Sequence, residues 1–472
     1  MTDHAQLSRT MWRSGWRNIG QVIGFSLPLL VLGIFFGLGH DYTAKHGISA
    51  ELHGAPLHEK IWPKFRLYFS RHEDELLYYE YASLMLGAGA PHRTHYAPNI
   101  LLHRIPTTGT PAWPYRDFHY EYPPLALLPM LLPRLFTADP QRYHDLFALE
   151  MIALLYIAIG LAARMRRGYG DRVSLPRLAT YGGVAAAAVG QLTTQRFDLF
   201  PATLLLAGLA AWQRARVVAA TGWITSGALA KIFPGIVFPA TLLAAWQHRR
   251  AEIPRLLAIA AMLTLACFLP LVWWAPGGIG ALFGHHTGRG LQIECIYSVG
   301  LALWDFVHPI GLWTRDAAGS RVLGGAWPDA VAHYTMPTLL VLTGIITWWF
   351  ARRRLPPSDA RWPCAWLLLL ATFVFASPIG SPQFVLWFLP LTLAVPGTAG
   401  HAVRRAFLYY AAATQAEYFF FYGKFHALKP LGVLGECVRW AGFGYVVVTL
   451  FRGMTAANPA LATTTRGPRH SA

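Results

Sequence analysis

The feature that most constrains this chain is a series of apolar runs separated by short blocks rich in arginine. A helix needs roughly 20 apolar residues to cross the hydrocarbon core of a bilayer. Of the 472 residues, 54% are hydrophobic and only 13% are charged, whereas a soluble domain carries about a quarter charged residues. The composition therefore predicts that lipid is the solvent for much of the surface. We expect an all-α polytopic membrane protein with about 12 transmembrane helices.

The formal net charge of +17 does not indicate nucleic acid as a partner, because the positive residues fall in short blocks between the apolar runs. Cytoplasmic loops of membrane proteins carry an excess of Lys and Arg. We assign these blocks to the cytoplasm, at 164–177, 214–216, 249–255, 352–361 and 404–405. This assignment places both termini inside and predicts a multi-pass protein of a bacterial cytoplasmic membrane.

The apolar runs come in pairs between these blocks, as the assignment requires. After a first run at 21–39, the pairs are 178–193 with 197–212, 217–231 with 232–246, 362–377 with 383–397, and 403–421 with 431–451. Two runs, 124–136 and 296–308, are too short to cross alone and predict re-entrant or interfacial helices. The predicted organisation is a cytoplasmic segment 1–20, one transmembrane domain 21–451, and a cytoplasmic, disordered tail 452–472.

The longest connection, 40–123, is predicted on the extracytoplasmic side. Loops longer than about 12–15 residues are usually functional or disordered, and this one is too rich in aromatic residues to be disordered. The other outside segments are 191–201, the turn around Lys231, 276–294, 378–383 and 422–430. The candidate site residues all come from these segments.

Asp74 is the first candidate for chemistry. It lies in the segment 71–82, whose apolar residues follow helical spacing and predict an amphipathic helix in the membrane interface. One well-placed carboxylate in a water-poor site can act as a general base for a hydroxyl nucleophile. A helix cap or a solvated charge run is the alternative, because Glu73 and Glu75 flank Asp74.

Other polar residues share the predicted outside surface. His119 and Glu121 precede a double proline, and the alternative is a rigid loop end. Arg289 offers a planar fork suited to a phosphate, with an ion pair to Glu294 as the alternative. His285 and His286 are adjacent in sequence and diverge in a helix or a strand, so no metal site is predicted.

Three further candidates lie at helix ends. Arg196 and Asp198 open an apolar run, and Lys231 interrupts another. Ionisable groups at membrane depth indicate function, although Lys231 could also extend to the surface. Gln383 ends a proline-rich turn, for which a structural role is favoured. The chain has no nucleotide-binding, zinc-protease or serine-hydrolase motif, and no cofactor is predicted.

Taken together, several segments resemble glycosyltransferase family 87, over roughly residues 20–450. These are Asp74–Tyr79 (DELLYY), Tyr120–Ala126 (YEYPPLA), Arg196–Leu199 (RFDL), Gly227–Pro234 (GALAKIFP), Arg289–Glu294 (RGLQIE) and Ser381–Trp387 (SPQFVLW). The family consists of GT-C-type membrane enzymes related to the polyprenyl-phosphate-mannose-dependent mannosyltransferases. The resemblance implies a GT-C-like fold and an active site on the extracytoplasmic face.

The implied reaction moves a sugar, with mannose favoured, from a polyprenyl-phosphate carrier to an acceptor hydroxyl with inversion. The acceptor would be a glycolipid, a glycan or another hydroxyl compound. Asp74 matches the first-loop Asp of the family and would be the general base. The resemblance assigns the donor phosphate to Lys231 and Arg289. We add Arg196 to this set as a further cation, although many relatives carry Asn at its position, which leaves its role open. Sugar or acceptor contacts are assigned to Glu121, His119, Glu294, His286 and Gln383.

Proteins of different function share the hydropathy pattern. A transporter or flippase of a lipid-linked or anionic substrate would place ionisable residues near the bilayer midplane and often shows repeated halves. A polysaccharide polymerase or ligase would also fit the pattern, and so would a non-catalytic assembly subunit. The outer location of the ionisable residues favours the transferase.

Overall fold

The computed structural model describes residues 26, 27, 30, 73–88, 109–287, 290–317 and 320–455, without the side chains of 73, 281, 283, 285–287 and 317. The predicted cytoplasmic segment 1–20, nearly all of the run 21–39 and most of the tail 452–472 lie outside these residues. So does much of the loop 40–123.

The first half of the described chain is helical. Its α-helices are α1 Glu73–Met85, α2 Leu127–Arg134, α3 Pro140–Gly168, α4 Leu175–Val189, α5 Leu192–Gln195, α6 Leu199–Gln213, α7 Val217–Ala230, α8 Phe238–His248, α9 Ile253–Trp274 and α10 Gly278–Thr287. Short 3₁₀ turns cover Pro124–Ala126, Phe233–Val237 and Arg250–Glu252.

The second half adds helices and a small sheet. The α-helices are α11 Ile296–Val307, α12 Ala326–Arg353, α13 Trp362–Ala376, α14 Val385–Ala394, α15 Gly397–Ala416, α16 Tyr422–His426 and α17 Pro430–Thr455, with a 3₁₀ turn at Pro382–Phe384 and a π-helical turn at Glu417–Phe421. The strands are β1 Leu291–Gln292, β2 Trp313–Ala317 and β3 Ser320–Gly324. They form an antiparallel sheet in the order β1-β3-β2, with Leu291 opposite Leu323 and Thr314 opposite Leu323 on its other side. The sequence analysis did not predict this sheet.

The protein is a helical, polytopic membrane protein, as its hydropathy predicted. Among the described residues, four helices are long and apolar enough to cross a membrane: Pro140–Gly168, Arg250–Trp274, Ala326–Arg353 and Pro430–Thr455. Six shorter apolar helices have 10–17 residues, among them Pro124–Arg134 and Ile296–Val307, the two runs predicted to be too short to cross. The described part of the chain therefore has fewer helices of spanning length than the roughly 12 crossings that were predicted.

The centre of the bundle is α14, all ten residues of which are buried. It packs against α3, α6 and α15. Its neighbour α13 is buried along most of its length. Both helices are apolar on every side, which is the pattern expected of a helix surrounded by other helices. The more exposed helices, such as α9, form the periphery.

The arginine-rich helix ends meet at one end of the bundle. The contacts are hydrogen bonds from Gln213 Nε2 to the Met165 carbonyl (2.7 Å), from Gln247 Nε2 to the Ala351 carbonyl (3.0 Å), and from the Gly397 amide to Asp171 (3.0 Å). Arg166 also donates to Asp171 at 2.8 Å. Blocks that are far apart in sequence are therefore neighbours in space.

Helix α1 departs from the prediction. The amphipathic interface helix expected at 71–82 exists as a helix, but it is buried on every side from Leu77 to Leu84. Arg134 donates from Nε to Ser83 at 2.9 Å, and His144 Nδ1 lies 2.8 Å from a Glu75 oxygen. Helices α2 and α3 cover the face that the sequence pattern left for solvent. The prediction of a helix in the membrane interface was wrong, because the polar side chains of α1 contact polar partners inside the protein instead of water.

Candidate active site

The N-terminal end of α1 carries the first ion pair of the site. Asp74 contacts Arg196, through Oδ2 and Nη2, and the two side chains are 26% and 20% exposed. Arg196 has an extended backbone between the short helix α5 and α6. Burial lowers the pKa of Arg196, but the charges of Asp74 and of the neighbouring tyrosines together outweigh burial, and the net pKa is raised. Arg196 is therefore a firmly charged cation held beside the predicted base.

A second ion pair lies at the break between α7 and α8. The ammonium of Lys231 lies 2.8 Å from both oxygens of Asp198, whose side chain is fully buried. Lys231 has an extended backbone where α7 stops. Trp387 donates from Nε1 to the same carboxylate at 2.6 Å. Burial lowers the pKa of Lys231, and Asp198 offsets only part of this effect.

Aromatic rings join the two pairs into one site. The Phe197 ring centroid lies 5.5 Å from that of Tyr78 and 5.0 Å from that of Tyr122. The Lys231 ammonium lies 4.8 Å from the Phe197 ring centroid and 5.8 Å from that of Tyr122. Phe197 stands between Arg196 and Asp198 in the chain, so one short segment supplies a member of each pair and the ring between them.

Glu121 belongs to the same site. It is half-buried, and its charge raises the pKa of Lys231. His119 is also half-buried, and its neighbours in the chain, Phe118 and Tyr120, are buried. Gln383 lies in the 3₁₀ turn whose last residue, Phe384, stacks on Trp387 with ring centroids 3.9 Å apart. The buried Oε1 of Gln383 has no hydrogen-bond partner among the described residues.

Glu294 lies in a separate buried cluster. Its carboxyl is fully buried together with Glu417, Glu436 and Arg439, and Trp440 donates to its backbone carbonyl at 3.2 Å. Arg439 Nη1 lies 3.0 and 2.9 Å from the two oxygens of Glu436. Burial raises the pKa of Glu294. Three carboxyl groups thus share one guanidinium, and a buried charge without compensation is costly.

Two tyrosines connect this cluster to the first ion pair. Tyr418 is close enough to Arg196 to affect its pKa, and the Tyr418 and Tyr422 ring centroids are 4.8 Å apart. Tyr422 in turn interacts with Glu294. The buried carboxyls therefore form a neighbouring layer of the site.

The structure brings together four of the predicted site residues, Asp74, Arg196, Lys231 and Glu121. Arg289 lies outside the described residues, and the His286 side chain is not described, so their predicted contacts are not tested. Residues that the sequence analysis left without a role are Asp198, Tyr78, Tyr122, Phe197, Trp387, Glu417, Glu436 and Arg439. A signal did exist for two of them, since Glu436 and Arg439 are an i, i+3 charge pair inside an apolar run.

Among the described residues, no group of three or more His, Cys, Asp or Glu side chains is placed to hold a metal ion. The four cysteines are free.

Fold and site define a helical membrane protein with a buried site of two aspartates, each paired with a cation. No family model matches the chain, and no curated protein matches it. Among solved structures, the chain is similar to the crystal structure of ArnT from Cupriavidus metallidurans in the apo state, at 14% identity and a TM-score of 0.43. The alignment covers 94% of this chain and 78% of that one. A similarity at this level supports no conclusion about activity.

Proposed function

We propose that this protein is a membrane glycosyltransferase that moves a sugar from a polyprenyl-phosphate carrier to an acceptor hydroxyl. The observation that carries the proposal is the convergence of the Asp74–Arg196 and Asp198–Lys231 pairs on one aromatic-lined site. Such a transfer needs a carboxylate to accept a proton and cations to stabilise a phosphate leaving group. The family resemblance of the same segments favours mannose as the sugar and an extracytoplasmic site.

The chemistry requires one bond to form and one to break. The acceptor oxygen attacks the anomeric carbon, and the bond from that carbon to the phosphate oxygen breaks with inversion. Asp74 accepts the hydroxyl proton, and the polyprenyl phosphate leaves with the electron pair. Negative charge grows on the phosphate in the transition state, where nearby cations have their largest effect.

Arg196 serves both parts of this reaction. Its guanidinium pairs with Asp74, and an adjacent cation favours the charged form of a carboxylate. A bound donor phosphate competes for the same guanidinium, so part of the Asp74 carboxylate becomes available to the acceptor hydroxyl. The base would thereby become available when the donor is present.

Lys231 is assigned to the other side of the phosphate. Asp198 and Trp387 hold the side chain in place, so little side-chain entropy is lost when the donor binds. Glu121, His119, Glu294 and Gln383 are proposed to contact sugar or acceptor hydroxyls, with Arg289 and His286 from the neighbouring loop. Lipid surrounds the polyprenyl chain, while the sugar and phosphate occupy the polar site.

The test is transfer by purified protein in nanodiscs containing a polyprenyl-phosphate sugar and a panel of glycolipid, glycan and simple alcohol acceptors. Asp74→Asn should lower the rate by a factor of about 10² to 10⁴, the usual effect of losing a general base. Asp316→Asn is the matched control, because Asp316 is 81% exposed and lies on the β2–β3 hairpin. If wild-type protein releases no sugar with any acceptor, or folded Asp74→Asn retains the wild-type rate, the proposal is wrong.

A proton-coupled transporter is the second candidate, favoured by the buried carboxyl cluster of Glu294, Glu417 and Glu436. Carboxyl groups inside transmembrane bundles are common in proton relays. Proteoliposomes loaded with a pH-sensitive dye distinguish the two functions. A transporter would move protons only when substrate is added, and Glu436→Gln would abolish this coupling. A transferase would show no such coupling.

A further inference from the structure

A groove between α7 and α9 lies away from the candidate active site. It has a volume of about 630 Å³, and its walls are mostly apolar, with Gly222 and Trp223 on α7 and Ile259 and Leu263 on α9. The ionisable residues at its edge include Arg216, at the start of α7. The groove is therefore apolar along its length and charged at one end.

The length of the groove fits one bilayer leaflet. On α7 its lining extends from residue 216 to residue 226, which is about 15 Å at 1.5 Å per residue. The hydrocarbon core of a bilayer is about 30 Å thick. The groove thus extends from the arginine-rich end of the bundle to about the middle of the membrane.

The groove opens toward lipid. Only 6% of the most apolar stretch of Arg250–Trp274 is buried inside the protein, although its mean hydropathy is 2.4. Its closest large neighbour among the described helices is α7. A molecule that fills the groove from the side must therefore present an apolar chain to it.

The charged end of the groove is positive. Arg164, Arg214 and Arg216 are exposed, and none of them forms an ion pair with any carboxylate of the described residues. Burial lowers the pKa of Arg214, and the charges of Arg164 and Arg216 lower it further, so the three cations lie close together. Glu252, the carboxylate at this end, lies 4.0 Å from Arg249. Within the described part of the chain, the three arginines thus have no ion-pair partner, and Glu252, which lines the same end, pairs with Arg249.

We propose that this groove binds an anionic phospholipid, with its phosphate at Arg214 and Arg216 and one acyl chain between α7 and α9. Basic pockets between helices at the cytoplasmic surface have the charge that such headgroups require. The bound lipid supplies the missing counter-charge and covers the apolar wall in the same step. This site is independent of the proposed transferase activity.

Native mass spectrometry of the full-length protein, titrated with dioleoylphosphatidylglycerol or dioleoylphosphatidylcholine, tests the proposal. Wild-type protein should bind the anionic lipid more tightly. The double variant Arg214→Gln/Arg216→Gln should bind it about 30-fold more weakly, since each cation near a membrane surface contributes about a factor of five. The matched control is Arg352→Gln/Arg353→Gln, because these arginines stack on Trp348 and Trp349 on a different helix.

A second variant blocks the groove and keeps the charge. A Cβ at Gly222 would have its nearest neighbour at 3.8 Å, so Gly222→Leu adds its side chain to the groove without a backbone clash. This variant should lose the preference for the anionic lipid although both arginines remain. Equal binding of the two lipids by wild-type protein would overturn the proposal, as would unchanged binding by folded Gly222→Leu or an equal loss in the control variant.

Discussion

At the scale of single residues, Asp198 links two helices of the site, α7 through Lys231 and α14 through Trp387. Its carboxylate accepts from Lys231 and from Trp387, and the Trp387 ring stacks on Phe233 and on Phe384, with ring centroids 4.1 and 3.9 Å apart. The ion pair is buried, so its two charges depend on each other. Removing one partner leaves the other charge in a poorly solvated position.

The first prediction tests this dependence. Asp198→Asn should lower the free energy of unfolding by about 3–5 kcal/mol, because Lys231 loses its counter-charge. Lys231→Met should also be destabilising, since it leaves Asp198 unpaired. The double variant should recover much of the loss, which thermal unfolding of all three proteins would measure. Additive losses in the double variant would show that the pair is not coupled.

The second prediction concerns pH. The buried ammonium of Lys231 has a lowered pKa, so in the folded protein it loses its proton below the ordinary lysine value of about 10.4. Between the lowered pKa of Lys231 in the folded protein and its ordinary pKa in the unfolded chain, the unfolded chain binds more protons than the folded protein. The contribution of Lys231 to the free energy of unfolding therefore rises with pH in this window. Binding of the donor phosphate falls in the same window, because neutral lysine does not attract it.

The expected result is an alkaline decline of kcat/KM that begins below about pH 10.4. Lys231→Arg should move this decline to higher pH, since a guanidinium keeps its charge. The measurement is the pH profile of sugar transfer for both proteins, with the free energy of unfolding followed over the same range. An identical alkaline limb in the two proteins would assign the decline to another group.

At the scale of elements, α1 places Asp74 by being fixed along its length. The hydrogen bond between Glu75 and His144 connects α1 to α3, and the bond from Arg134 to Ser83 connects it to α2. Glu75 is 2% exposed, so of the two described carboxylates in the first turn of α1, Asp74 is the one that faces the site. A loss of the contact to α3 should therefore affect catalysis through position.

The third prediction follows from this contact. His144→Ala should lower kcat and the free energy of unfolding, the latter by about 1–3 kcal/mol for a buried hydrogen bond. His144→Gln keeps a donor and should restore part of both. His333→Ala on α12 is the control, because His333 is exposed and bonds only to its own turn. If His144→Ala lowers stability without changing kcat in the folded fraction, α1 is not held in place by this residue.

At the scale of the whole molecule, the two ends of the bundle differ in charge and chemistry. Hydrogen bonds connect the arginine-rich helix ends to one another. The two aspartate–cation pairs lie at the opposite helix ends, namely the start of α1, the start of α6 and the end of α7. Charge excess in short loops sets the orientation of such proteins. The active site is therefore proposed on the extracytoplasmic side, away from the arginines.

The fourth prediction tests this orientation. In a variant without the four native cysteines, Arg116→Cys should react with an impermeant maleimide added to intact cells, and Arg214→Cys should react only after the cells are opened. Both positions are exposed in the folded protein, so accessibility should depend on the side of the membrane. Labelling of Arg214→Cys in intact cells would reverse the assignment.

The sequence determined the solvent of this protein, the approximate bounds of its helices and the grouping of its arginines. Hydropathy and charge blocks are local in the chain, and so the apolar runs at 362–377 and 431–451 correspond to the helices Trp362–Ala376 and Pro430–Thr455. The tertiary structure alone decided which charges meet. Asp74 and Arg196 are 122 positions apart, and Asp198 and Lys231 are 33 positions apart. Such pairing depends on helix packing, which no local pattern encodes, and the same packing buried the polar face of α1.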